Sequence, residues 1–137
     1  MTDCVFCKIV ARQIPATVVY ENEATLAFMD IGQVNPGHVL VACKAHVENV
    51  YALDDAQAAA VAHAAAHVAR GIRDAFMPEG LSVYQANGKP AGQTVFHYHV
   101  HLVPRAEGDG MALAWPVKNP PRAKLEEYAA RIRAKLG

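Results

Sequence analysis

Val95-Phe96-His97-Tyr98-His99-Val100-His101-Leu102-Val103 is the stretch on which the fold turns, because its histidines and its apolar residues separate cleanly only on an extended chain. Successive side chains of a β-strand leave opposite faces. His97, His99 and His101 therefore share one face, while Phe96, Tyr98, Val100 and Leu102 share the other. A strand over 95–103 follows, with Pro104 expected to stop it. A lone histidine is usually a surface or satisfied core residue. Three in alternation above an apolar underside ask for chemistry, and two kinds compete: proton and phosphoryl transfer, or metal ligation.

The residues just before the strand bear on that choice. Asn87-Gly88-Lys89-Pro90-Ala91-Gly92-Gln93-Thr94 supplies an amide, a hydroxyl and glycine-flanked N–H groups, a set suited to cradling phosphate oxygens. Such a loop is weak evidence alone, and Asn87-Gly88 also reads as an ordinary turn. Placed against three histidines, it favours phosphorus over bare metal binding. A neutral imidazole is a competent nucleophile when an acceptor holds its other nitrogen protonated.

Working outward, Thr17 to Tyr20 and Thr25 to Met29, parted by Glu21-Asn22-Glu23, read as a hairpin. His38 to Ala42, after Asn35-Pro36-Gly37, reads as a third strand and Leu81 to Ala86 as a fourth. Asp54-Asp55 put negative charge at a helix start, and an alanine-rich run continues to Phe76, with Pro78 and Gly80 ending it. Val61, Val68, Ile72 and Phe76 give this helix its apolar face, with His63, His67, Arg70 and Asp74 opposite. His63 and His67 have the spacing of a zinc-protease helix, but Ala64 stands where the glutamate is required, so a solvated face is the reading. Pro121 suits the first turn of a last helix, with Leu125, Tyr128, Ala129 and Ile132 as its stripe up to Gly137. The order implies an α+β fold: an antiparallel sheet of about five strands, one main helix and a C-terminal helix, forming one domain over 1–137.

Thirteen basic and thirteen acidic residues leave no global field to gather nucleic acid or hold an anionic membrane, so phosphate recognition must be local. The longest apolar stretch, Ala56 to Ala69, is alanine-dominated and interrupted by Gln57, His63 and His67, too weak for a membrane span. Met1-Thr2-Asp3-Cys4 lacks the form of a secretory signal, and a cytoplasmic location is the expectation. Three cysteines, an odd number, argue against a disulfide framework.

Gly92-Gln93-Thr94-Val95-Phe96-His97-Tyr98-His99-Val100-His101-Leu102-Val103 resembles the signature of the histidine-triad (HIT) family. The likeness runs from Cys4 to about Trp115 and includes Phe28-Met29-Asp30-Ile31 and Asn35-Pro36-Gly37-His38. It implies a homodimer that hydrolyses or transfers AMP-type purine nucleotides through a covalent nucleotidyl-histidine, with no catalytic metal. By motif position His99 would be the nucleophile, His101 the phosphate-side helper that passes a proton to the leaving group, and His38 their support from the neighbouring strand. Asn87, Gln93 and Thr94 would hold phosphate or leaving group, and Asp30 the ribose hydroxyls. Val5, Phe6, Ile9, Ile14, Phe28 and Ile31 would form an apolar slot for the base. Purine nucleoside phosphoramidates are the leading substrates; dinucleoside polyphosphates, or nucleotide binding without turnover, are the alternatives. Trp115 would serve the active site, the partner subunit or ordinary packing.

Cys4-Val5-Phe6-Cys7 has the two-residue gap that lets two thiolates reach one zinc ion, which is half of a tetrahedral site. A redox dithiol is disfavoured because no strand precedes the pair, and two inert thiols are the remaining alternative. Resemblance to a zinc-containing bacterial subset of the family implies His46 and His97 as the other two ligands of a structural zinc, pinning the N-terminal segment to the sheet edge. Cys43 stands where many relatives carry proline and is expected to be buried.

Overall fold

The computed structural model describes residues 3–112 and 114–137, and its centre is a five-stranded antiparallel sheet in the order β1-β2-β3-β5-β4. The strands are β1 (Val18–Glu21), β2 (Thr25–Met29), β3 (Val39–Cys43), β4 (Gly80–Tyr84) and β5 (His99–Arg105). The β1–β2 turn is tied by one side chain: Asn22 Oδ1 accepts from Ala24 N, Thr25 N and Thr25 Oγ1 at 3.0, 2.8 and 2.8 Å. That bonding explains how Thr25 can be fully buried.

Alternation along β2, β3 and β5 gives the sheet two apolar faces. Ala27, Val39, Val41, Cys43, Val100 and Leu102 face α2 (Asp55–Phe76), which covers them with Val61, Ala64, Val68 and Ile72. Burying each of the larger side chains is worth about 1.5–3 kcal/mol. A capping box starts α2, with Gln57 N donating to Asp54 Oδ1 and Asp54 N to Gln57 Oε1. Met77 in the left-handed region ends it. Phe76 departs from the expected stripe: it is half exposed and lies over Gly37, where a Cβ would come within 3.0 Å of its ring. His63 and His67 are exposed, as a solvated face requires.

The second face, Leu26, Phe28, Leu40 and Ala42, is covered by a short helix that periodicity could not reveal, α1 (Val5–Val10), through Phe6 and Ile9. The N-terminal segment thus sits on a face of the sheet, not on its edge. His99 and His101 pair with Ala42 and Leu40, so they open onto this same face.

The strand that decided the fold is displaced from 95–103 to His99–Arg105. Residues 95–97 form bends, because Tyr98 N turns to Val47 O and His97 is drawn into a cluster of its own. Pro104 does not stop β5: it pairs with Leu81, and its carbonyl points away from β4 to accept from Asn35 Nδ2 at 2.7 Å. Its missing N–H faces that same side, beyond the end of the β3 ladder, so no sheet bond is lost. α3 (Arg122–Leu136) forms as expected, but none of its residues is buried: Leu125, Tyr128 and Ile132 are exposed, as is Trp115. No helix among the described residues is long and apolar enough to cross a membrane.

Candidate active site and adjoining metal-ligand cluster

Hydrogen bonds assign a tautomer to every imidazole on this face. His99 Nδ1 lies 2.6 Å from the carbonyl of His97, so Nδ1–H donates and Nε2 carries the lone pair. His38 Nδ1 accepts from Val34 N at 3.2 Å, which puts its proton on Nε2. That Nε2–H meets His101 Nδ1 at 2.9 Å, leaving His101 protonated on its own Nε2. A lone-pair imidazole and a proton-bearing one thus stand side by side, with ring centroids 5.1 Å apart. Asp30 Oδ2 sits 3.4 Å from His38 Nε2 and 3.9 Å from His101 Nδ1. These three groups could surround a cation, although His38 Nε2–H is spent on His101 Nδ1, with Asp30 beside that bond.

Burial sets the charge state. His101 is lowered from 6.5 to about 4, first by desolvation, then by His99 and His38, with Asp30 opposing. His38 and His99 are also lowered, chiefly by burial. A histidine whose pKa is lower in the folded chain is neutral when folded but protonated when unfolded between the two values. Its contribution is therefore present above pH 6.5 and lost on acidification toward pH 4. His101 alone should cost on the order of 3 kcal/mol of unfolding free energy over that interval. Urea titrations of the wild type and His101→Gln at several pH values check this. Equal acid slopes for the two proteins would show that His101 does not carry the effect.

Phe6 joins α1 to the histidines, edge-on to His99 at 4.9 Å and to Phe28 at 5.3 Å. Phe6, Ile9 and Phe28 are buried together and Ile14 packs partly on them. Val5 is exposed, and so is Ile31, which lies outside this apolar layer. Ile31 enters a turn in which Asp30 Oδ1 accepts from Gly32 N at 2.8 Å.

Around the 87–94 loop the polar side chains serve the loop itself. Gln93 is buried; its Nε2 donates to Glu48 O and Val95 O, and its Oε1 accepts from Gly88 N. Both ends of the Gln93 amide are thus engaged in holding the loop. Asn87 Oδ1 accepts from Val50 N at 2.8 Å, and its amide pairs with that of Gln85. Thr94 is exposed. Sequence reading passed over Tyr84, which pairs across the sheet with His101, lies 5.6 Å from its ring and donates to Ala91 O. Strand pairing was the signal that could have found it. Gly92 is required beside it, at φ +100° and with a Cβ position 2.9 Å from the Tyr84 hydroxyl.

Beneath the loop, Cys4, Cys7, His46 and His97 converge. Cys4 Sγ is 3.4 Å from His97 Nδ1, and Cys7 Sγ is 3.2 Å from His46 Nδ1 and 3.5 Å from His97 Nδ1. Zinc bonds of about 2.3 Å to sulfur and 2.0–2.1 Å to nitrogen imply a tetrahedral S···N edge of about 3.5 Å, so the donor set fits. His97 Nε2–H donates to the buried Cys43 carbonyl, which turns the Nδ1 lone pair toward the thiols. Burial, with Cys4 adjacent, raises the Cys7 thiol above its ordinary value. A cation would reverse that preference.

The sheet, its crossing helix and the cluster of histidines define an α+β protein with one unprotonated imidazole Nε2 beside two proton-bearing ones. The HIT domain family model matches residues 11–108, and the chain belongs to that family. The crystal structure of a HIT family protein from Bacillus subtilis superposes with a TM-score of 0.94 at 45% identity, covering 98% of each chain. A zinc-bound histidine-triad protein from Mycobacterium smegmatis superposes with a TM-score of 0.76 at 33% identity, covering 97% of each. The adenosine 5'-monophosphoramidase of Schizosaccharomyces pombe is 36% identical over 114 residues, 82% of this chain and 83% of that protein.

Proposed function

We propose that this chain hydrolyses purine nucleoside phosphoramidates or related nucleotidyl conjugates through a nucleotidyl-His99 intermediate. The observation that carries the reading is the bond from His99 Nδ1 to the His97 carbonyl, which presents an unprotonated Nε2 beside the His38–His101 pair. His99 Nε2 attacks the α-phosphorus and the bond to the leaving group breaks. With substrate bound, the phosphate and Asp30 favour uptake of a solvent proton by His101, opposing burial. The leaving nitrogen takes a proton from the His101 imidazolium, which returns to neutral and can accept a proton from the water of the second step. Water then cleaves the P–N bond to His99 and releases the nucleoside monophosphate. Asp30 would meet the ribose, Asn87, Gln93 and Thr94 the phosphate or leaving group, and Phe6, Ile9, Phe28 and Ile31 the base. The relationship to a yeast adenosine 5'-monophosphoramidase supports this substrate class.

Zinc held by Cys4, Cys7, His46 and His97 would be structural, fixing the strand entry that orients His99. A homodimer in the cytoplasm is part of the same reading. Incubation with adenosine phosphoramidate and, separately, diadenosine triphosphate tests it. Faster turnover of the phosphoramidate is expected. Preference for the dinucleotide would move the protein to the polyphosphate branch, and turnover of neither would leave a nucleotide-binding protein.

A further inference from the structure

The two sides of the site, across β5, are unlike. Asp30, Phe28 and Phe6, the groups proposed above for ribose and base, lie toward β3 and β2, with Phe6 edge-on to His99. A nucleotide held there sends its departing amine the other way, over the outermost strand β4. Tyr84 pairs with His101, so alternation turns Gly80, Ser82 and Tyr84 to the catalytic face and Leu81 and Val83 to the opposite one. Ser82 is spent on Arg105 Nη1 at 3.1 Å, and Gly80 has no side chain. Of the three, Tyr84 is what β4 offers a leaving group. Its ring is held from two sides: the hydroxyl donates to Ala91 O at 3.1 Å, and the ring stands edge-on to His101 at 5.6 Å. It is nevertheless 41% exposed. A tyrosine fixed in orientation yet open to solvent gives a rigid contact at little entropic cost. Aromatic rings attract one another at centroid separations of about 4.5–7 Å.

We infer that Tyr84 determines leaving-group specificity, favouring conjugates of amines that carry an aromatic ring on a short methylene spacer. The inference rests on the proposed phosphoramidate chemistry. There the leaving nitrogen sits beside the His101 imidazole that protonates it, and an arene a short spacer away comes over the neighbouring Tyr84 ring.

The test compares two phosphoramidate conjugates of AMP, one with 2-phenylethylamine and one with ethylamine, reading kcat/KM for each in the wild type, Tyr84→Phe and Tyr84→Thr. Threonine removes the ring and keeps a residue suited to a strand. The wild type should favour the phenyl conjugate by about 3- to 10-fold, the scale of one aromatic pair. Tyr84→Phe should retain that preference and Tyr84→Thr should lose it. A uniform loss from a loosened 87–94 loop, and the difference in amine basicity, cancel when the ratios are compared. A readout without turnover covers the case of a Tyr84→Thr chain that folds poorly: in His99→Ala, proton NMR should show the Tyr84 ring moved upfield by the phenyl conjugate and not by the ethyl one. A wild type without preference, a Tyr84→Thr variant that keeps it or a Tyr84→Phe variant that loses it would overturn the inference, as would ring protons that respond alike to both conjugates. Failure of the wild type to turn over either conjugate would instead remove the proposed function, and the ring protons would still decide whether Tyr84 meets the arene.

Discussion

His99→Ala should reduce kcat on adenosine phosphoramidate by about 10⁴- to 10⁶-fold and abolish the covalent nucleotidyl adduct. The size follows from what His99 supplies: the only imidazole of the group whose lone pair sits on Nε2 while Nδ1–H is held by a backbone carbonyl. His38 and His97 have theirs on Nδ1, engaged with Val34 N and directed to the thiols respectively. His101 spends its Nδ1 on His38. None can take over the attack without breaking a bond that fixes its tautomer. Fourfold powers of ten correspond to roughly 5.5 kcal/mol of transition-state stabilisation. Phe6 and Phe28 pack on one another as well as on the imidazole, so nucleotide affinity should survive within a few-fold. Quenched-flow sampling with intact-mass detection reads the adduct, and calorimetry with AMP reads the affinity. An alanine variant that retains wild-type turnover would sink the nucleophile assignment.

What the residues disclosed in advance was whatever depends on period, on turn residues or on motif position. Strand-type runs set off by Glu21-Asn22-Glu23 and Asn35-Pro36-Gly37 announced β2 and β3, alternation announced the two-faced character of β5, and the Asp54-to-Phe76 run announced α2 to within a residue. α1 stayed hidden because six residues are too few for a helical period and its first turn is closed by the Cys4 thiol, not by a usual capping group. The shift of β5 by four residues at its start had a cause no local pattern carries: His97 and Tyr98 leave the ladder to bond Cys43 and Val47, which lie far back in the chain. Motif position brought His99, His101, His38 and Asp30 together, and it brought together the four side chains that could hold a metal. It could not say which way the Gln93 amide and Ile31 face, since whether an amide meets a backbone carbonyl, and whether a residue past a strand end turns in or out, is settled by tertiary bonding. Tautomers were equally illegible. They depend on which single backbone N–H or C=O meets each ring nitrogen, as Val34 N does for His38.

Cys7→Ala should leave the purified protein with much less than one zinc per chain and lower the melting temperature by about 10–15 °C. The expected loss is roughly 3–5 kcal/mol, at about 3 °C per kcal/mol for a domain of this size. Cys7 is chosen because its sulfur stands within 3.5 Å of both His46 and His97 Nδ1, so its removal opens the site toward two ligands at once. The damage should not stay local. Cys4 caps α1 and Cys7 lies within it, and the same helix carries Phe6 onto His99. His97 lends His99 its carbonyl while its own Nδ1 faces the thiols. Loosening the cluster therefore frees both the aromatic wall and the acceptor that fixes the nucleophile's tautomer. AMP affinity should weaken and hydrogen exchange in α1 should quicken, while exchange in α2, on the opposite face of the sheet, should keep its pattern apart from the global loss. Elemental analysis, thermal melts and exchange mass spectrometry measure the three effects separately. A wild type that carries no zinc after purification in zinc-containing buffer would remove the structural metal. A variant that loses zinc but melts and exchanges as the wild type does would show that α1 is held by Phe6 and Ile9 packing on Phe28 and Leu40 alone.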